Sequence, residues 1–130
     1  MTKEGLKIIK DAMEALGLKY AFMQYNVGKN EKTPGTYFVG EYQEVEPLYE
    51  NGMQESKFLL TGFSRESWMA LEDAKEKIST YFNKVSGKTV IAANGAAVAI
   101  FYSNSLVIPT GDAELKKIQI NLDVKEWSVK

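Results

Sequence analysis

The chain predicts an α+β fold: a mixed or mainly antiparallel sheet with two long hairpins, and two helices packed on one of its faces. Three observations predict it. Apolar residues recur at helical spacing over 3–16 and 64–85, the mark of helices that each bury one stripe. Two Asn-Gly pairs, Asn51-Gly52 and Asn94-Gly95, sit between strand-like runs. That dipeptide is the strongest short-range hairpin signal because it tolerates positive φ at both turn positions. The segment 114–129 then alternates apolar and polar residues as a half-buried strand does. At 130 residues one domain spanning 1–130 is expected, large enough to bury a core without disulfide or metal staples.

Composition removes several functions at once. Cysteine and histidine are both absent. There is then no disulfide and no thiolate metal site, and the commonest general base and metal ligand are missing. The opening Met-Thr-Lys-Glu-Gly has no apolar core, so no secretory leader is expected. No apolar run approaches the ~20 residues that a membrane-spanning helix needs. A net charge of -1 supplies no field to gather nucleic acid.

Each element has its own justification. Over 3–16, Leu6, Ile8, Ile9, Ala12, Met13, Ala15 and Leu16 share one half of a helix, while Lys7, Lys10, Asp11 and Glu14 share the other. Gly17 is placed to stop it, and the apolar half suits a sheet. Residues 19–25 are short and aromatic and read as a strand. The polar stretch 26–35 reads as a loop, and its Gly28-Lys29 lacks the spacing of a phosphate-binding loop. Residues 36–47 and 55–63 form the arms of the first hairpin, 36–63. A two-residue turn at Asn51-Gly52 would set Glu46 opposite Lys57, Val45 opposite Phe58 and Tyr42 opposite Thr61. Gly62 suggests a bulge. The rising arm and tip carry Glu41, Glu44, Glu46, Glu50 and Glu55 with no base before Lys57. Two readings stay open: a solvated edge that resists aggregation, or an acidic arm that docks on a basic neighbour.

Over 64–85, Trp68, Leu71, Ala74, Ile78, Tyr81, Phe82 and Val85 fall on one helical face, with Lys75 among them. Ser64 suits the N-cap, Glu66 the first turn and Lys84 the last. Asp73 and Lys77 are spaced as an i,i+4 pair, and Gly87 can end the helix. Met69 points to the polar side, as an ordinary exposed side chain or as a contact with another subunit. The second hairpin, 88–102, would place Ile91 opposite Val98. Its alanines at 92, 93, 96, 97 and 99 leave room for a close neighbour, most simply a helix. Residues 103–113 read as irregular, closing on Pro109, Thr110, Gly111 and Asp112. Leu106, Val107 and Ile108 either tuck onto the core or form an exposed patch awaiting a partner. In 114–129 the alternation slips at Glu126, so a bulge near Lys125 is expected.

No reaction centre emerges. The carboxylate pairs Glu72-Asp73 and Glu44/Glu46 fall on a polar helix face and a sheet edge, without the apolar surroundings that would separate their pKa values. Ser64, Ser67, Ser103 and Ser105 have no histidine to activate them, and Ser67 has no dyad spacing to Lys75 or Lys77. Asp112 and Glu114 offer two oxygen ligands in one loop, which is not an EF-hand. Aromatic residues are not interleaved with lysine or arginine as a base-stacking surface requires. The chain therefore reads as no enzyme, with no cofactor and no metal.

Three stretches carry a family resemblance: Pro34-Gly35-Thr36-Tyr37-Phe38-Val39-Gly40-Glu41-Tyr42, Leu59-Leu60-Thr61-Gly62-Phe63-Ser64-Arg65, and Pro109 through Ile120. Together with the element order they resemble small tail components of long-tailed phages and prophages of Gram-positive bacteria, and within that group the tail terminator, or tail completion, family. The resemblance implies a homo-oligomeric, six-fold ring that caps the tail tube protein and meets the head completion or connector protein. It implies a place in the virion tail, with the host cytoplasm as the site of assembly. A ring needs two different contact patches on each subunit. The candidates are Glu41, Glu44, Glu46 and Glu50 for one patch, and Leu106, Val107, Ile108, Pro109 and Asp112, with Met69, for the other. An acidic partner-binding module of the inhibitor or immunity type is the alternative.

Overall fold

A computed structural model describes residues 1–45, 52–92 and 95–127. The elements run α1 (Lys3–Ala15), β1 (Tyr20–Phe22), β2 (Thr36–Val45), β3 (Met53–Ser64), α2 (Trp68–Tyr81), β4 (Lys88–Ile91), β5 (Ala97–Ile108) and β6 (Lys116–Trp127). The fold is α+β. One mixed sheet has the order β1-β2-β3-β6-β5-β4, and only the β1–β2 pair is parallel. Ile9 and Met13 of α1, with Leu71, Ala74 and Ile78 of α2, join Phe38, Phe58, Leu60, Ile100, Ile118, Ile120, Leu122 and Val124 in one buried core. Both helices thus cover the same face of the sheet.

The first hairpin has a different register from the expected one. Val45 lies opposite Glu55, Tyr42 opposite Phe58 and Gln43 opposite Lys57; Glu46, Glu50 and Asn51 lie outside the described residues. A tight Asn-Gly turn would have paired even residues of β2 with odd residues of β3. The observed register pairs even with even, so Phe38 and Gly40 share the helix-covered face with Phe58, Leu60 and Gly62. A slip by an odd number would turn one arm's apolar set to solvent, which is how burial selects register.

Gly62 is not a bulge. The ladder runs through it unbroken, opposite Phe38 on one side and Ile118 on the other. A Cβ at Gly62 would stand 2.5 Å from Phe38 Cε1, and one at Gly40 would stand 2.5 Å from Phe58 Cζ. Each glycine is the floor beneath a phenylalanine ring of the neighbouring strand.

Several boundaries move. α1 ends at Ala15, with Leu16 as C-cap, Gly17 at φ 73° and Thr2 Oγ1 accepting from Gly5 N–H at its start. The strand expected over 19–25 shrinks to Tyr20–Phe22 because Met23 takes φ 67° and turns the chain. The helix expected over 64–85 is only Trp68–Tyr81. Ser64 belongs to β3 and accepts from Glu66 N–H and Ser67 N–H, while Ser67 is the N-cap and accepts from Ala70 N–H. The helix stops where the Phe82 carbonyl accepts from Tyr102 N–H at 2.8 Å, so Lys84 is outside it and Val85 is 89% exposed. Trp68 is also largely exposed. Lys75 pairs with Glu72 at 2.6 Å, and that hydrogen bond raises the Lys75 pKa.

The second hairpin pairs Val90 with Val98 and Ile91 with Ala97, one residue from the expected register. Gly95, at φ 87°, donates to the Ala92 carbonyl, and Ala92 donates to Ala96. The described pairing thus closes at Ala92 and Ala96 instead of at the Ala93–Ala96 pair a two-residue turn implies; Ala93 and Asn94 lie outside the described residues. Residues 103–108 are not irregular: β5 continues to Ile108 and pairs with β6 throughout. The bulge expected near Lys125 is instead in β5, between Tyr102 and Asn104. β6 keeps strict alternation through Glu126, which is buried. Its start is Lys116 rather than 114, and Val129 lies outside the described residues.

Tyr20 of β1 packs on this core, and burial pushes its phenol up to about 12. A raised folded-state pKa means that the folded protein holds the proton longer than the unfolded chain. Stability should be constant below pH ~10 and fall as pH rises towards about 12. The alkaline fall should be shallower in Tyr20→Phe, measured by urea denaturation across that range. Gly62→Ala should cost about 1–3 kcal/mol by overpacking, and Phe38→Leu in the same chain should recover part of that loss.

Candidate interaction surfaces

The described residues present exposed sheet edges and a cleft beside α1. Among them no group of three or more metal-binding side chains comes together. The largest polar feature within the fold is Glu126. It points inward on β6 and is 4% exposed. Its carboxylate accepts from Thr2 N–H at 3.1 and 3.2 Å and from Thr2 Oγ1. Gly5 leaves the space, since a Cβ there would stand 2.8 Å from Glu126 Oε2. A carboxylate at a helix N-terminus satisfies orphan N–H groups and favours the positive dipole end. Sequence reading missed this contact by inserting a bulge before Glu126; unbroken alternation together with Gly5 was the available signal.

Glu126 also lines a cleft of about 460 Å³ between α1 and the β4–β5 hairpin. Glu4, Lys7 and Asp11 line one wall, and Val90, Ala96 and Val98 the other. Ala92, Ala96 and Ala97 thus border a cleft, whereas Ala99 is buried and Ala93 lies outside the described residues. Both Glu126 oxygens are engaged by Thr2, so the carboxylate is a structural anchor.

The proposed contact residues separate into two places. Glu41 and Glu44 lie on the second half of β2 and are exposed. Glu44 Oε1 accepts from the Met1 amine at 2.7 Å. β1 pairs only with residues 38–40 of β2, so residues 41–45 form an outer edge of the sheet. Leu106 and Val107 lie on the last part of β5, 48% and 54% exposed. β4 pairs only with residues 97–100 of β5, so residues 104–108 form an outer edge on the opposite side. Ile108 is half-buried, Pro109 is exposed, and both line a shallow groove with Trp68. Asp112 makes an ion pair with Arg65 at 3.4 Å and accepts from Glu114 N–H, which ties the turn after β5 to the end of β3. Met69 is 66% exposed on α2.

The face of the sheet away from the helices is covered by its own side chains. Tyr25 packs at a tilt on Tyr37, Tyr37 stacks on Phe63, and Lys117 lies over Phe63. Lys57 pairs with Asp123, Lys125 lies over Phe101, and Gln119, Asn121 and Asn104 are joined by hydrogen bonds. Exposed apolar side chains concentrate at the sheet edges. Nine large ones are exposed among the described residues, and Phe22, Met23, Tyr42, Ile91, Leu106 and Val107, six of them, lie on or beside the two sheet edges. No helix among the described residues is long and apolar enough to cross a membrane. Compared with models of protein families and with curated proteins, the chain matches none.

Glu126→Ala should cost about 1–3 kcal/mol by leaving Thr2 unpaired. Amide exchange at Gly5 and Leu6 should speed up, and Glu126→Gln should retain most of the protection.

Proposed function

We propose that this chain is a virion assembly protein of the tail-terminator kind, whose copies close into a homo-oligomeric ring, six-fold when assembled, on the end of a tail tube and meet the head connector. It acts in the virion tail after assembly in the host cytoplasm. It works by fitting neighbours and makes no bonds. One observation carries the reading: the acidic part of β2 and the apolar part of β5 lie on opposite edges of one sheet and differ in chemistry. A subunit built this way can hold two different neighbours at once, which a head-to-tail contact requires. The resemblance of the three stretches, 34–42, 59–65 and 109–120, to the tail-terminator family supports it independently. Glu41 and Glu44, with Glu46 and Glu50 beyond the described part of the arm, serve one side of the ring. Leu106, Val107 and Ile108 serve the other. Trp68, Met69, Pro109 and Asp112 lie towards the end of the sheet where β5 finishes, and that end meets the tube or connector.

Purified protein, alone and mixed with tail tubes, should show rings by negative-stain electron microscopy. Val107→Asp should abolish them without changing the circular dichroism spectrum. Glu41→Gln with Glu44→Gln should weaken assembly and flatten its salt dependence, because screened surface charges steer association. A protein that forms no ring in either condition would overturn the reading.

A further inference from the structure

β5 ends in an edge unlike that of β2. Beyond the contact of β4 with residues 97–100, residues 104–108 have β6 on one side and no strand on the other. The stretch reads Asn104-Ser105-Leu106-Val107-Ile108 and carries no charge. Open edges are normally guarded by charged side chains, proline or a bulge. Here the bulge at Tyr102/Asn104 and Pro109 stand at the two ends, and the residues between them are unguarded. Leu106 and Val107 are exposed on opposite faces of this strand, while α2 packs on β3 and β6, inside the edge.

The backbone groups of the stretch can be followed across the sheet. A strand residue directs its N–H and carbonyl to one side, and its neighbours in the chain direct theirs to the other. Phe38 N–H donates to the Lys19 carbonyl, away from β3. Along the row Phe38, Gly62, Ile118 and Val107, the bonded pair is therefore Gly62 with Ile118, and Val107 directs its groups outward. The Gly40 carbonyl likewise accepts from Met23 N–H. Along Gly40, Leu60, Ile120 and Ser105, the groups of Ser105 then point outward too.

We infer that away from the ring this chain is a two-fold dimer, in which residues 104–108 of β5 pair antiparallel with the same residues of a second copy, centred on Leu106. The dimer occupies the edge that the ring reading gives to a ring neighbour, so, resting on that reading, it also holds back ring closure until the edge is released. The register is set by hydrogen bonding. The two-fold places Ser105 opposite Val107 twice, and opposed residues with outward groups exchange two hydrogen bonds. Moving the centre one way brings in Pro109, which has no N–H. Moving it the other way meets the bulge and Tyr102, whose N–H is already bonded to the Phe82 carbonyl. Charge selects a second copy at this edge and not at the other. An uncharged strand does not repel its own copy, whereas like-with-like pairing of residues 41–45 would crowd the Glu41 and Glu44 of two copies along one ladder. Side chains are covered on both faces. Leu106 meets Leu106 of the second copy at the axis, on the face away from the helices. Val107, which lines a shallow groove with Trp68, is met on the helix face by Ser105 of the second copy.

Dilute wild type should sediment at twice the 14.6 kDa mass of the chain. The chain has no cysteine, so an introduced thiol reports its own position. Opposed residues of a non-bonded pair lie about 4.5 Å apart between Cα atoms, within disulfide reach. Oxidation should therefore link nearly all of Leu106→Cys as dimer, while Gln43→Cys on the acidic edge should stay monomeric. Equal linking of the two would mean random collision and would overturn the dimer. Val107→Pro removes an outward N–H and no bond to β6, and proline is tolerated on edge strands. It should keep the wild-type circular dichroism spectrum and sediment as a monomer; a folded Val107→Pro that still dimerises would overturn the pairing, and the cysteine test stands without any change to the backbone. Oxidised Leu106→Cys should give no rings on tail tubes until it is reduced, and rings from the oxidised form would overturn the holding-back. A monomeric wild type would overturn the dimer and leave the ring reading to electron microscopy. Wild-type dimers that never give rings on tail tubes would overturn the ring reading and leave the dimer standing.

Discussion

Phase is the constraint on which the structure depends: across β2, β3 and β6 every even-numbered residue must point to the helices. β3 and β6 pair over 12 residues each, and Phe58, Leu60, Ile118, Ile120, Leu122 and Val124 all lie on that face. Fully burying side chains of this size contributes roughly 1.5–3 kcal/mol each. A one-residue slip would forfeit most of that at once. Turn chemistry, worth far less, does not set the register: the pairing of Val45 with Glu55 is out of phase with a two-residue Asn51-Gly52 turn.

That phase sets where small residues can stand. Gly40 and Gly62 share the buried face with Phe58 and Phe38, and each ring occupies the space a Cβ would need. The same logic operates at the other end of the core. Gly5 clears room on α1 for Glu126, whose carboxylate then caps the helix through Thr2. Glu126 can be buried because its charge is hydrogen-bonded and faces a helix N-terminus. The bulge in β5 is the one break in the pattern. After it, Ser105 and Val107 take the places opposite Ile120 and Ile118, while Asn104 and Leu106 turn to the other face with Asn121 and Gln119. The sheet so built has two unequal edges, and the functional proposal is a consequence of that inequality: β1 and β4 are each too short to cover the strand they pair with.

A helix over 3–16, two hairpins, a strand over 114–129 and the α+β class were read from periodicity and turn residues, and the structure has α1 over Lys3–Ala15, both hairpins and β6 over Lys116–Trp127, because those signals act over neighbouring positions. Glu41 and Glu44 were legible as exposed, being acidic residues without local bases; for Leu106 and Val107 the sequence left burial and exposure both open, and the structure exposes them. Tertiary packing alone decided the hairpin registers, the extension of β5 to Ile108, the inward position of Glu126 and the opposition of the two open edges. Each of these depends on which residues meet across the sheet, and the contacts that reward one meeting over another join positions as distant as Thr2 and Glu126. Local propensity carries no term for such a pair; only the closed core, filled on one face at the right phase, selects it.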